Sequence, residues 1–259
     1  MVAPWPRESY VVGGGAGEIV LIALSAAELP DPLPVSRTRH GMPDDGDGAG
    51  AVVLTRRDRA ADPAWFSANI LSPFSDLIAG DLGPDALAVA GACAHVYIIE
   101  ARLADPDDLG HVQAAWALAK CVCEEGAAVV IDVHAARAHL GSDVAQLAPD
   151  RSFDVLHEVT LFFDAQPDGR LAAWSLGLCK FGRPDLVLVD IAPEGATEAA
   201  VVLRDIAALL AGGERVEPGD QVAAPGARTF TAARFDPAMS AVVALDGPAL
   251  VLAEAPSPA

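Results

Sequence analysis

The chain is short of positive charge. Its 259 residues hold 17 Lys and Arg against 36 Asp and Glu, a formal charge of −19. A field of that sign repels phosphate backbones and anionic headgroups, which argues against nucleic acid and membrane surfaces as partners. Cysteine is scarce too. Cys93, Cys121, Cys123 and Cys179 do not make a disulfide framework in a chain this long. The longest apolar run, residues 86–99, has 14 residues and contains His95, short of the ~18 needed to span a bilayer. The amino-terminal residues carry two early prolines and no apolar h-region, so no signal peptide is read there. These absences together point to a soluble protein of the reducing cytoplasm. No G-x-S-x-G, H-E-x-x-H or P-loop pattern occurs, and no cofactor or metal-ligand set is read.

What is present suits a folded core. With 52% apolar and 20% charged residues, a chain of this size buries about seven-tenths of its surface. We read one α+β domain over residues 1–259. It has a loop at 28–50, a divergent part over 1–84, a core over 85–253 and a frayed tail at 254–259. The first ten residues read as a loose arm. Glu18–Leu24, Ala51–Thr55, Ala94–Ala101, Ala127–Val133, Leu156–Phe163, Leu171–Leu178, Leu186–Ile191, Thr229–Phe235 and Ala249–Leu252 read as strands. Ala64–Ile78 reads as a helix interrupted at Pro73. Asp105 as N-cap and Pro106 at the first position open a helix whose apolar face is Leu109, Val112, Trp116, Ala119 and Cys123; Gly126 stops it. Residues 94–133 therefore form a β-α-β unit. Ala196–Ala211 is a second amphipathic helix, stopped by Gly212-Gly213. Strand pairs alternating irregularly with single helices predict a largely antiparallel sheet with helices packed on it.

Several patterns invite chemistry. Gly13-Gly14-Gly15-Ala16-Gly17 precedes a strand rather than joining strand to helix, so it offers no helix dipole to a phosphate and reads as a flexible turn. Asp44–Asp47 lacks the closing Glu of a calcium loop and reads as solvated. Cys121 and Cys123 lie two apart on a helix and point to different sides, which suits packing better than zinc. Cys179 beside Lys180, with His157 as base, is a conceivable activated thiol. His157 itself is in phase with Val159, Leu161 and Phe163, the pattern of a core histidine.

Two segments are the candidate binding residues. In Asp132-Val-His134-Ala-Ala-Arg137-Ala-His139, Asp132 and His134 share one face at the end of a buried strand, where an Asp can orient a His ring. The group fits an anion, metal or acid–base site; it also fits a hydrogen-bonded strand end that organises the following loop, the commoner role of such groups. Lys180, Phe181 and Arg183 set two cations and an aromatic in a tight turn of an acidic chain. That turn reads as a recognition corner, or as a plain turn with Asp185 pairing Arg183.

Ala127–Arg137, Glu158–Phe163, Gly177–Leu186 (GLCKFGRPDL) and Leu209–Asp220 (LLAGGERVEPGD) resemble a bacterial family, the domain of unknown function 4261, most clearly over residues 90–253. That family has a strand ending near a His, then a G-x-x-K-F-G-x-P-[DE]-L turn, and later a G-x-x-[LV]-x-x-G-D turn. The resemblance implies an α+β module in the style of bacterial accessory or immunity proteins, and no established activity. Two readings follow. In the first, the chain is a protein-binding or regulatory module whose acidity steers a basic protein partner, such as a nuclease toxin. In the second, it is a small-molecule or metal-dependent enzyme built on Asp132, His134, Arg137 and His139.

Overall fold

A computed structural model describes residues 2–44, 47–224, 228–239, 242–243, 245 and 247–255. The chain forms two compact units. The first comprises residues 1–5 and 18–153, the second residues 6–17 and 154–259. Both units are α+β.

The first unit runs β1 (Ala16–Ser25), α1 (Arg37–His40), α2 (Asp47–Gly50), β2 (Val53–Asp58), α3 (Pro63–Phe66), α4 (Ser72–Leu82), α5 (Pro84–Ala92), β3 (His95–Ala104), α6 (Gly110–Glu124), β4 (Ala127–Asp132), β5 (Arg137–Leu140) and α7 (Gly141–Ala145). Its sheet has the order β2-β3-β1-β4-β5. The expected β-α-β unit is β3, α6 and β4, with β1 seated between the two strands. β1–β4, β4–β5 and β2–β3 are all antiparallel. Alternation along the strands divides the sheet into two buried faces. Ile22, Leu24, Val96, Val129 and Ile131 meet Phe66, Ile70, Ile78 and Ala90 of the α3–α5 run. Leu21, Ala23, Tyr97, Ile99 and Val130 are buried on the opposite face, where α6 lies against β3 and β4.

The helices differ from the sequence reading in two places. Pro73 does not interrupt: α3 and α4 are joined by a wider π turn at Ser67–Leu71, which accommodates the clash between the proline ring and the carbonyl four residues earlier. The long helix starts at Gly110, not at Asp105, which takes a positive φ of 38°. Asp108 serves the start instead, accepting from the Gly110 N–H at 2.8 Å. Nor is α6 one-sided. From Gly110 to Cys123 every residue but Leu118 is buried, because its alanines let α1, α2 and α7 approach from the side away from the sheet.

The second unit runs α8 (Val155–Glu158), β6 (Thr160–Ala165), β7 (Leu171–Leu176), β8 (Asp185–Ile191), α9 (Ala196–Ala211), β9 (Gln221–Ala224), β10 (Arg228–Arg234) and β11 (Ala249–Glu254). Its sheet order is β6-β7-β8-β11-β10-β9, with β8–β11 parallel and β6–β7, β7–β8, β10–β11 and β9–β10 antiparallel. α9 lies against β6, β7, β8 and β9 and buries Val202, Leu203, Ile206 and Leu210. Ala172, Val187, Ala249 and Val251 form a second apolar cluster with Phe235 and Val243. Residues 156–158, expected as strand, are helical because the Asp154 carboxylate caps the Leu156 N–H. The expected loose arm is tied down in the first unit, where Val2 O accepts from the Asp44 N–H and Trp5 O from the Leu109 N–H, and again in the second. Arg7 donates to the Leu210 and Ala211 carbonyls at the end of α9, and Ser9 N and Val11 N bond Gly212 O and Gly213 O. Part of the acidic tip (residues 45 and 46) and residues 256–259 of the tail lie outside the described residues.

Candidate functional site

The two candidate segments belong to different units. In the first unit, Asp132 ends β4 and is wholly buried. Its Oδ1 accepts from the Ala135 N–H at 3.1 Å, closing the four-residue turn that carries His134 and leads into β5. Ala136 takes a φ of 47° to complete the turn, and Arg137 pairs with Asp132 across the ladder. A second carboxylate fastens β5: Asp81 of α4 accepts from the Ala138 N–H at 2.7 Å. His134, Arg137 and His139 are half-buried. His139 presents its ring edgewise to Trp116 of α6, with centroids 5.3 Å apart. Asp132 thus holds the backbone of the hairpin turn. Among the described residues no group of three or more His, Cys, Asp or Glu side chains could hold a metal ion.

Near Trp116 lies a small cavity of ≈10 Å³, lined among others by Trp5, His40, Gln113, Lys120 and Arg151. That is room for about one water molecule. Its polar walls bond one another. Gln113 Oε1 accepts from the Trp5 N–H, and Lys120 donates to Ala145 O and Leu147 O. His40 faces Glu124 at 3.3 Å, and the Arg151 guanidinium sits over both indoles, 4.9 Å from Trp5 and 5.6 Å from Trp116. Trp5, Gln113 and Arg151 had no signal in the sequence, being 108 and 146 positions apart along the chain.

In the second unit the turn 177–185 faces inward. Lys180 and Phe181 are 0% exposed and Arg183 is 4% exposed, so the expected recognition corner offers these three side chains to its own core. Lys180 Nζ donates to Glu158 O at 2.9 Å and Glu158 Oε2 at 3.0 Å; His157 faces the other carboxylate oxygen at 3.0 Å. His157 therefore lies on α8 beside a buried acid rather than in a strand with Leu161 and Phe163. Asp185 does not pair with Arg183. It accepts from Ser175 Oγ and the Leu178 N–H, while burial pushes its carboxyl up to about 6. Arg183 instead ties its turn to two backbone segments, donating to Glu214 O and Gly213 O of one and to Val11 O of the other. Gly15 of the glycine cluster donates its N–H to Gly182 O at 2.9 Å, so the cluster packs against this turn.

No protein-family model, curated protein or solved structure matches the chain. Among the described residues, no helix is long and apolar enough to cross a membrane.

Proposed function

We propose that the chain is a cytoplasmic protein-binding module of regulatory or immunity type, whose acidic surface receives a basic protein partner. The observation that supports this reading is where the cations go. Both lysines, Lys120 and Lys180, are buried, and so are Arg7 and Arg183. Arg37, Arg39, Arg102, Arg204, Arg215 and Arg228 are each clasped by a carboxylate. Of the carboxylates, only Asp132, Glu158 and Asp185 are buried among the described residues. The surplus is shared: 20 carboxylates face nine Lys and Arg in the first unit, and 16 face eight in the second. Such a surface draws a cationic protein in and raises its association rate in a salt-dependent way. The enzyme reading around Asp132, His134 and Arg137 gains no support from a carboxylate engaged by its own turn. The test is affinity capture from native lysate at about 0.05 M and 0.5 M salt. Captured proteins of high isoelectric point, released by the higher salt, are the expected result. Salt-insensitive capture, or capture of acidic proteins only, overturns the proposal.

A further inference from the structure

The two edges of the first unit's sheet are treated differently. At β5 the outward Ala138 N–H is met by the Asp81 carboxylate. At β2 no strand pairs with the outer edge among the described residues, and Val53, Thr55, Arg56 and Arg57 are exposed. The outward groups can be assigned. The Arg59 N–H bonds inward to Ala94 O at 2.8 Å, and in an antiparallel ladder inward and outward residues alternate. The backbone groups of Leu54, Arg56 and Asp58 therefore point away from β3.

This edge is also a concentration of cations in an acidic chain: Arg56, Arg57 and Arg59 fall within four positions. Arg56 is held by Glu28 and Asp58, and the Asp58 carboxyl, hydrogen-bonded by His95, sits below its ordinary range. Arg59 lies over the Phe66 ring and bonds Gly91 O. Arg57 has no carboxylate partner among the described residues. Its guanidinium lies 4.6 Å from the centre of the Trp65 ring, which fixes its position while leaving its N–H groups to a ligand.

We propose that the outer edge of β2 takes up an extended acidic segment of a partner protein as an added strand. Main-chain bonds to Leu54, Arg56 and the Asp58 N–H supply the pairing, the Asp58 carbonyl being taken by the Ala61 N–H at 3.1 Å, and carboxylates on alternate residues reach Arg57. A second copy of β2 is the wrong occupant, because edge-to-edge pairing sets arginines against arginines. The chain's overall negative charge does not bar an acidic segment at close range. At physiological salt the screening length is about 8 Å, so a docked segment responds mainly to the nearest arginines.

The experiment is fluorescence anisotropy at about 0.15 M salt with a labelled octapeptide alternating Glu and Val, and with its Lys counterpart. The acidic peptide is expected to bind, and the lysine peptide to bind at least tenfold more weakly. Arg57→Glu and Leu54→Pro, the latter deleting one outward N–H, should each weaken the acidic peptide at least tenfold. Proline is tolerated at such an edge position; if Leu54→Pro nevertheless fails to fold, the exposed Arg57→Glu exchange decides alone. Undiminished affinity in Arg57→Glu, equal binding of the lysine peptide, or no binding of the acidic one overturns the proposal. So does a wild-type dimer that Leu54→Pro dissociates, since a second copy then covers the edge.

Discussion

Lys180 and Glu158 form an ion pair from which water is excluded: Nζ and Oε2 are 3.0 Å apart, and the two side chains are 0% and 1% exposed. The same ammonium holds the Glu158 carbonyl, so one side chain pins the end of α8 to the turn between β7 and β8. Buried pairs of this kind add little net stability, yet losing one partner strands the other.

Lys180→Met should therefore cost about 3–5 kcal/mol, read from urea denaturation. Lys180→Met combined with Glu158→Leu should recover part of that loss, because no charge is left buried without its counter-ion. A double variant no more stable than Lys180→Met would show that the carboxylate is not what suffers.

Asp185 should make stability fall as pH rises. Its folded value of about 6, set by burial against the bonds from Leu178, Ser175 and Gly177, lies above the ordinary 3.8. Between about pH 4 and 6 the folded chain keeps a proton that the unfolded chain releases. The contribution is complete below that window and is lost through it, by up to about 3 kcal/mol. Asp185→Asn should remove this slope from denaturation midpoints measured across the range; an unchanged slope would assign it to another group.

Gly182 and Gly169 both have positive φ, 65° and 83°, but different surroundings. A Cβ at Gly169 meets open space, whereas at Gly182 it runs into the Gly15 carbonyl. Gly169→Ala should cost about 1 kcal/mol, the price of the backbone conformation alone. Gly182→Ala should cost clearly more, with a thermal melt displaced by correspondingly more degrees. Equal losses would mean that the close approach to Gly15 is not maintained in solution.

The thiols should separate sharply. Burial raises Cys93; burial and the nearby glutamates push Cys121 up to about 11, and burial pushes Cys123 up to about 12. Cys179 is half-buried and the other three are buried. At pH 8 a thiol-reactive dye should modify Cys179 first and the others only on unfolding. Cys179→Ser should abolish the fast phase; its persistence would mean that one of the three buried thiols is open to solvent.

Much of the fold is written locally. α9 keeps the bounds Ala196–Ala211 expected from its apolar spacing and its Gly212-Gly213 stop. The β-α-β unit was likewise legible, since continuous apolar runs on either side of a periodic segment leave few alternatives. The misread elements share a cause. The helix at 155–158 depends on one cap, and the late start of α6 on a turn with Asp105 at positive φ. These are single-residue events that a hydrophobic pattern averages away.

The candidate residues divide in the same manner. The sequence by itself marked Asp132, His134, Arg137, His139, Lys180, Phe181 and Arg183 as unusual, and determined the α+β class and the excess of negative charge. It could not determine direction. Whether Lys180 meets solvent or Glu158, whether Asp185 pairs with Arg183 or Ser175, and which sheet edge stays open depend on contacts between residues far apart in the chain, such as Asp81 with Ala138 and Arg183 with Val11. Only the tertiary structure decides these, because the cost of burying a charge is settled by the partner that folding brings to it.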